Sequence, residues 1–187
     1  AVEMRRTLPV QLAGEVGALD QAAIEEVQRE SWPVVRDPDE LHDALLTLVW
    51  VPVEQVRDWR QFVSALLQDG RVVELSVRGE GDGGEGLGVR GKGREVRGWV
   101  ATEHRTQVEL MFASGAEAAT DVTVLGWMES IGPTTVVELA HRLHLSADDV
   151  NRSMVRLEAS GQVLRGQFRP TSRIENSKFK IVNSGEA

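Results

Sequence analysis

The 187-residue chain contains no cysteine. That absence excludes a disulfide framework, a thiolate metal site and a cysteine nucleophile together. No apolar run is long enough to span a membrane, so no membrane partner is expected. The opening residues AVEMRRTLPV, broken by charges and a proline, lack a secretory hydrophobic region. These absences fit a cytoplasmic setting. Positive charge is also in deficit, with 21 Lys and Arg against 29 Asp and Glu and a net charge of −8. Such a balance argues against strong non-specific nucleic-acid binding by the whole chain. What is present is enough apolar material, 41% of residues, to build a packed core, and a length that suits one large domain or two small ones.

The charge is unevenly spread. Residues 1–70 carry −7, residues 71–120 carry −1 and residues 121–187 carry 0. Between positions 151 and 180 there are 7 basic and 2 acidic residues. The acidic excess is therefore N-terminal, and the other end has a basic stretch of the kind that can mark a local electrostatic footprint.

The most informative stretch is Ile131 to Phe168. Gly132-Pro133 stops a preceding helix. Thr135 with Glu138 forms a capping-box pattern, and Val136, Leu139, Ala140 and Leu143 follow at helical spacing. Ser146 with Asp149 repeats the capping pattern after one short turn. Val150, Met154 and Leu157 form the apolar stripe of a second helix, and Gly161 ends it. Val163 to Phe168 is β-prone, as the first strand of a wing would be. Helix, turn, helix, strand is the plan of a winged helix-turn-helix. Its second helix is expected to leave Asn151, Arg152, Ser153 and Arg156 off the buried stripe, with Arg152 and Arg156 on one face. Exposed polar side chains there suit phosphates and base edges. Arg165 and Arg169 extend the candidate interface. The competing reading is a solvated face on a helix that packs or dimerises and never touches DNA.

Upstream, helices are expected over Leu12–Glu30, Asp39–Trp50 and Glu54–Gln68, then a strand over Arg71–Arg78. Residues 79–98 hold 9 of the 18 glycines, and a β-prone stretch, Trp99–Thr102, follows. Helix, helix, strand, long glycine-rich loop and strand again fit a winged-helix plan. The expected organisation is thus mainly α with small β wings, an α+β fold of tandem winged helix-turn-helix units. An N-terminal helical segment covers 1–35, a winged-helix-like unit 36–104, a connecting helix within 105–119, a second winged unit 120–182 and a tail 183–187. The helix of the connector is expected at Glu103–Ala113. Phe179–Val182 fits either the returning strand of the second wing or an appended tail.

Several motifs fail on inspection. Gly79, Gly81 and Gly84 match dinucleotide-binding spacing, but the loop is acidic (Glu80, Asp82, Glu85) and no helix opens at its end. Gly86 to Gly93 resembles a phosphate-binding loop up to Lys92, where the required serine or threonine is replaced by Gly93. Arg90, Lys92, Arg94 and Arg97 remain as candidate contacts to a phosphate backbone. His141 and His144 are three apart on one helix, yet no third metal ligand is evident. The tryptophans at 32, 50, 59, 99 and 127 sit in apolar patterns that suit core packing. Trp99, beside the first wing, is the one best placed to stack on a base. No metal, cofactor or catalytic residue is expected.

Three blocks carry a resemblance: Trp32 to Leu48, Gly98 to His104, and Gly126 to Phe168, the last ending in LE-x-x-G-x-V-L-R-G-x-F. They resemble the C-terminal region of bacterial large helicase-related (Lhr) proteins over most of residues 17–170. The resemblance implies a piece of the extension beyond the motor of an ATP-dependent DEAD/DEAH-type DNA-repair helicase, built of tandem winged helices similar in fold to a class of bacterial DNA glycosylases. The chain itself has no genuine phosphate-binding loop and no acidic helicase box, so it is not expected to be an enzyme alone. Family members continue past Phe168 with a Trp-Cys-containing basic segment, whereas this chain reads RPTSRIENSKFKIVNSGEA. The expected partners are single-stranded or forked DNA and the helicase motor domains. The alternative is a protein-protein interaction module, including a homo-oligomer, with no direct DNA contact.

Overall fold

The structure, a computed structural model, describes residues 21–79 and 94–166. Most of these residues are helical, and a small antiparallel sheet of three strands completes an α+β fold. Helix α1 (Gln21–Ser31) leads into α2 (Pro38–Leu48). Asp37 caps α2 by accepting a hydrogen bond from the Glu40 amide, and Pro38 occupies the first turn, where its missing N–H costs nothing. A two-residue strand β1 (Val51–Pro52) follows, then two 3-10 turns (Val53–Gln55 and Arg57–Trp59) and α3 (Arg60–Gln68). Strands β2 (Val72–Gly79) and β3 (Arg94–Ala101) form a hairpin, α4 (Arg105–Ser114) and α5 (Glu117–Ile131) follow, and α6 (Val136–Leu143) and α7 (Ala147–Ala159) complete the described chain.

Three local expectations differ from what is observed. The helix expected over Glu54–Gln68 begins only at Arg60. Val51 and Pro52 pair with Trp99 and Gly98, and the residues after them form two 3-10 turns where the apolar spacing pointed to α-helix. Pro52 is tolerated because β1 lies at the sheet edge. The strand expected at Trp99 begins at Arg94, inside the glycine-rich stretch, because Glu95, Val96 and Arg97 alternate outward, inward and outward opposite Arg78, Val77 and Ser76. Finally, Val163–Gly166 is not a strand. The amides of Gln162 and Val163 both reach back to the Leu157 carbonyl, so this segment turns at the end of α7. Gln167 and Phe168 lie outside the described residues.

The sheet order is β1-β3-β2, with β2 and β3 in register from Val72 opposite Ala101 to Gly79 opposite Arg94. One continuous cluster of buried side chains runs from Leu41 in α2 to Leu157 in α7. Trp50 stands at its centre. Its indole N–H donates to the Leu143 carbonyl at 3.1 Å, and its own carbonyl accepts from the Trp127 indole at 3.0 Å. The ring lies over Gly98 of β3 and meets Phe112 edge-on at 5.0 Å. Helix α5 is the central element. Its buried Thr120, Thr123 and Ser130 return their hydroxyls to carbonyls four residues back, so these three hydroxyls are paired within the helix. Gly126 lets α5 cross α2 against the Thr47 carbonyl.

Candidate nucleic-acid interface

Helices α6 and α7 form a helix-turn-helix from residues that cap one another. Thr135 accepts from the Glu138 amide, and Glu138 accepts in return from the Thr135 amide, the reciprocal pair that settles two free donors. His144 ends α6 in a left-handed conformation at φ 56. Ser146 then caps α7 by accepting from the Asp149 amide at 3.0 Å. Val150, Ser153 and Leu157 face the core.

Asn151 and Arg152 are exposed, as expected from their spacing. Ser153 is not: it is fully buried, and its hydroxyl has no hydrogen bond of good geometry. The fully buried stripe runs through 150, 153 and 157, and Met154 packs against it partly buried. Arg156 is only one-third exposed and is clamped to Asp121 of α5 by two parallel hydrogen bonds of 2.9 and 2.7 Å. Glu117 adds a contact at 3.4 Å. Burial pushes the Asp121 carboxyl up, but hydrogen bonding to Arg156, the nearby Ser153 hydroxyl and the Arg156 charge together outweigh it and hold the pKa below its ordinary value. The same bond raises the Arg156 pKa further. This geometry ties α7 to α5 and occupies the guanidinium fork that a phosphate would need. Arg152 pairs with Asp149, and Arg165 with Glu158 at 3.1 Å. Each described arginine of the basic stretch thus has a carboxylate partner. Arg90, Lys92 and Arg169 lie outside the described residues.

A cleft of about 290 Å³ opens between the end of α5, the start of α6 and α7. Met128, Val136, Met154 and Val163 supply its apolar lining, while Asn151 and Arg165 stand on its polar side. Two expected site residues therefore meet at one cleft. Leu164, also on its rim, is 80% exposed.

Trp99 is 2% exposed, and its indole N–H donates to Glu74. Its ring cannot receive a base without opening the sheet. His104 bonds Gln107 and the Leu46 carbonyl. His144 Nε2 lies 2.6 Å from Glu54, tying the end of α6 to the turn after β1. His42 Nε2 comes within 3.4 Å of Glu103 without hydrogen-bond geometry. Among the described residues no group of three or more ligating side chains could hold a metal ion. No described helix is long and apolar enough to cross a membrane.

A second helix face, outside the residues that the sequence pattern singled out, is also exposed. Along α3, Arg60, Gln61, Ser64 and Gln68 are exposed, as is Arg57 in the turn before it. None of the five makes a side-chain ion pair or hydrogen bond among the described residues. The available signal was that RQFVSALLQ contains two glutamines, a serine and an arginine but no carboxylate.

Comparison with protein-family models, with curated proteins and with solved structures finds no match for this chain.

Proposed function

We propose that this chain is a non-catalytic nucleic-acid-binding module built of tandem winged-helix units, of the kind found in the C-terminal extension of an ATP-dependent DNA-repair helicase. The observation that carries the reading is the doubly capped helix-turn-helix of α6 and α7, with Asn151 and Arg152 facing outward. The first half supports it independently. The order α2, β1, turn, α3, β2, β3 with sheet order β1-β3-β2 puts a helix directly before a long hairpin. In winged-helix proteins that pairing brings a helix to a groove and a hairpin to the backbone beside it. The preferred ligands are single-stranded or forked DNA. A few phosphate contacts on an acidic chain give modest, salt-sensitive affinity.

Fluorescence anisotropy with a labelled forked DNA at low and moderate salt tests this. Binding that weakens as salt rises is expected. Absence of binding at low salt would overturn it. That result would favour a protein-protein interaction module, a reading supported by the apolar cleft with the exposed Leu164 on its rim. Its signature is a homo-oligomer or a complex with a helicase motor.

A further inference from the structure

We propose that the main phosphate-contacting surface of this module is the outer face of α3 with the turn before it, centred on Arg57 and Arg60, rather than α7. This inference rests on the nucleic-acid reading and assigns its site. Three observations lead to it.

The first is the state of the cations. On α7 and just after it, Arg152, Arg156 and Arg165 are each committed to a carboxylate. Releasing one to a phosphate would leave an unpaired acid, and for Asp121 that acid is three-quarters buried. Arg57 and Arg60 are exposed and have no ion pair among the described residues, so engaging a phosphate breaks nothing.

The second is the chemistry of the helix face. Arg60, Ser64 and Gln68 recur every fourth residue, and Gln61 lies beside them, giving one strip of exposed hydrogen-bonding side chains. The opposite face is anchored through Val63 and Leu66. No carboxylate lies within α3, whereas α7 holds Asp148, Asp149 and Glu158. The nearest acids in sequence are Asp58 in the preceding turn and Asp69 after the helix, one at each end. A polyanion therefore meets positive charge at the start of the strip, where Arg57 and Arg60 flank Asp58, then neutral hydrogen-bonding side chains as far as Asp69.

The third is position. Helix α3 runs through the turn at Asp69 and Gly70 into β2 and packs on that strand. The hairpin carries exposed Arg78 and Arg94, which make no ion pair among the described residues, while Arg97 bonds Glu74 and Ser76 holds Glu95. Helix strip and hairpin arginines thus belong to consecutive elements, with Arg78 and Arg94 at the end of the hairpin far from α3.

The test compares three full-chain variants with the unaltered protein in the forked-DNA titration. Arg57→Glu with Arg60→Glu lowers affinity at least tenfold. Arg57→Gln with Arg60→Gln keeps the fold and lessens the salt dependence, the slope of log K on log salt falling by about 2. Arg152→Glu lowers affinity less than the Arg57/Arg60 charge reversal does. Thermal unfolding of the double variants matches the unaltered chain, because neither arginine bonds a described neighbour. If the unaltered chain binds and the Arg57/Arg60 variants bind equally well, the assignment of the face is wrong while the nucleic-acid reading stands. If the unaltered chain does not bind DNA at all, both fall. An altered sedimentation coefficient in the double variants with DNA binding intact would make α3 a self-association face and overturn the proposal.

Discussion

At the residue scale, single contacts decide how closely the elements approach. Gly126 is the sharpest case. Alanine in a helix interior ordinarily stabilises relative to glycine by about 1 kcal/mol. Here an added Cβ would overlap the Thr47 carbonyl oxygen, which is backbone and cannot rotate away. Gly126→Ala is therefore expected to destabilise by about 2 kcal/mol or more, read as a lower urea midpoint. Stabilisation would mean that α2 and α5 are farther apart than described. The Arg156–Asp121 clamp makes a second residue-scale prediction. The Asp121 pKa is lowered on folding from an ordinary value of 3.8. Its stabilising contribution is thus fully present above that value and is lost as pH falls through the lower folded value. Asp121→Asn should cost about 1–2 kcal/mol at neutral pH. The gap between variant and unaltered chain should close in acid below about pH 4. A gap that stays constant down to pH 2 would show that the carboxylate charge is not what the clamp uses.

At the element scale, capping chemistry sets the boundaries of α6 and α7. Thr135→Ala removes the acceptor for the Glu138 amide and loosens the reciprocal bond, at a cost of about 1 kcal/mol. Hydrogen exchange should quicken first in the amides of residues 136–139, and uniform acceleration through α7 would contradict a local role for the cap. The same capping signals made α6 and α7 legible in the sequence, since Thr135, Glu138, Ser146 and Asp149 act over three residues. Strand β1 was not legible. Two residues that pair with Trp99 and Gly98, far along the chain, leave no local period, and without β1 the following turns read as helix. Ser153 misled for another reason: its polarity marked it as exposed, while its place three residues after Val150 and four before Leu157 put it in the core. The Asp121 partner of Arg156 stands 35 residues away, so no spacing rule could show that the guanidinium was engaged. The α3 strip was legible in composition alone, as a helix without acids, and needed the structure to show that its arginines have no described ion partner.

At the scale of the whole molecule, the two halves share one core. Trp50 binds both Leu143 of α6 and, through its carbonyl, Trp127 of α5. Tryptophan fluorescence and far-ultraviolet circular dichroism should therefore report a single coincident unfolding transition in urea. Two resolved transitions would show that the halves are independent. Charge is also organised at this scale. The chain as a whole carries −8, so any affinity for a polyanion must come from a local surface, with the remainder of the molecule limiting its strength. That is the central claim, and the dependence of forked-DNA affinity on salt tests it most directly. The account predicts a detectable complex at low salt whose log K falls linearly with log salt, with a slope of a few units for a few phosphate contacts. No complex at the lowest salt, or an affinity indifferent to salt, would contradict it.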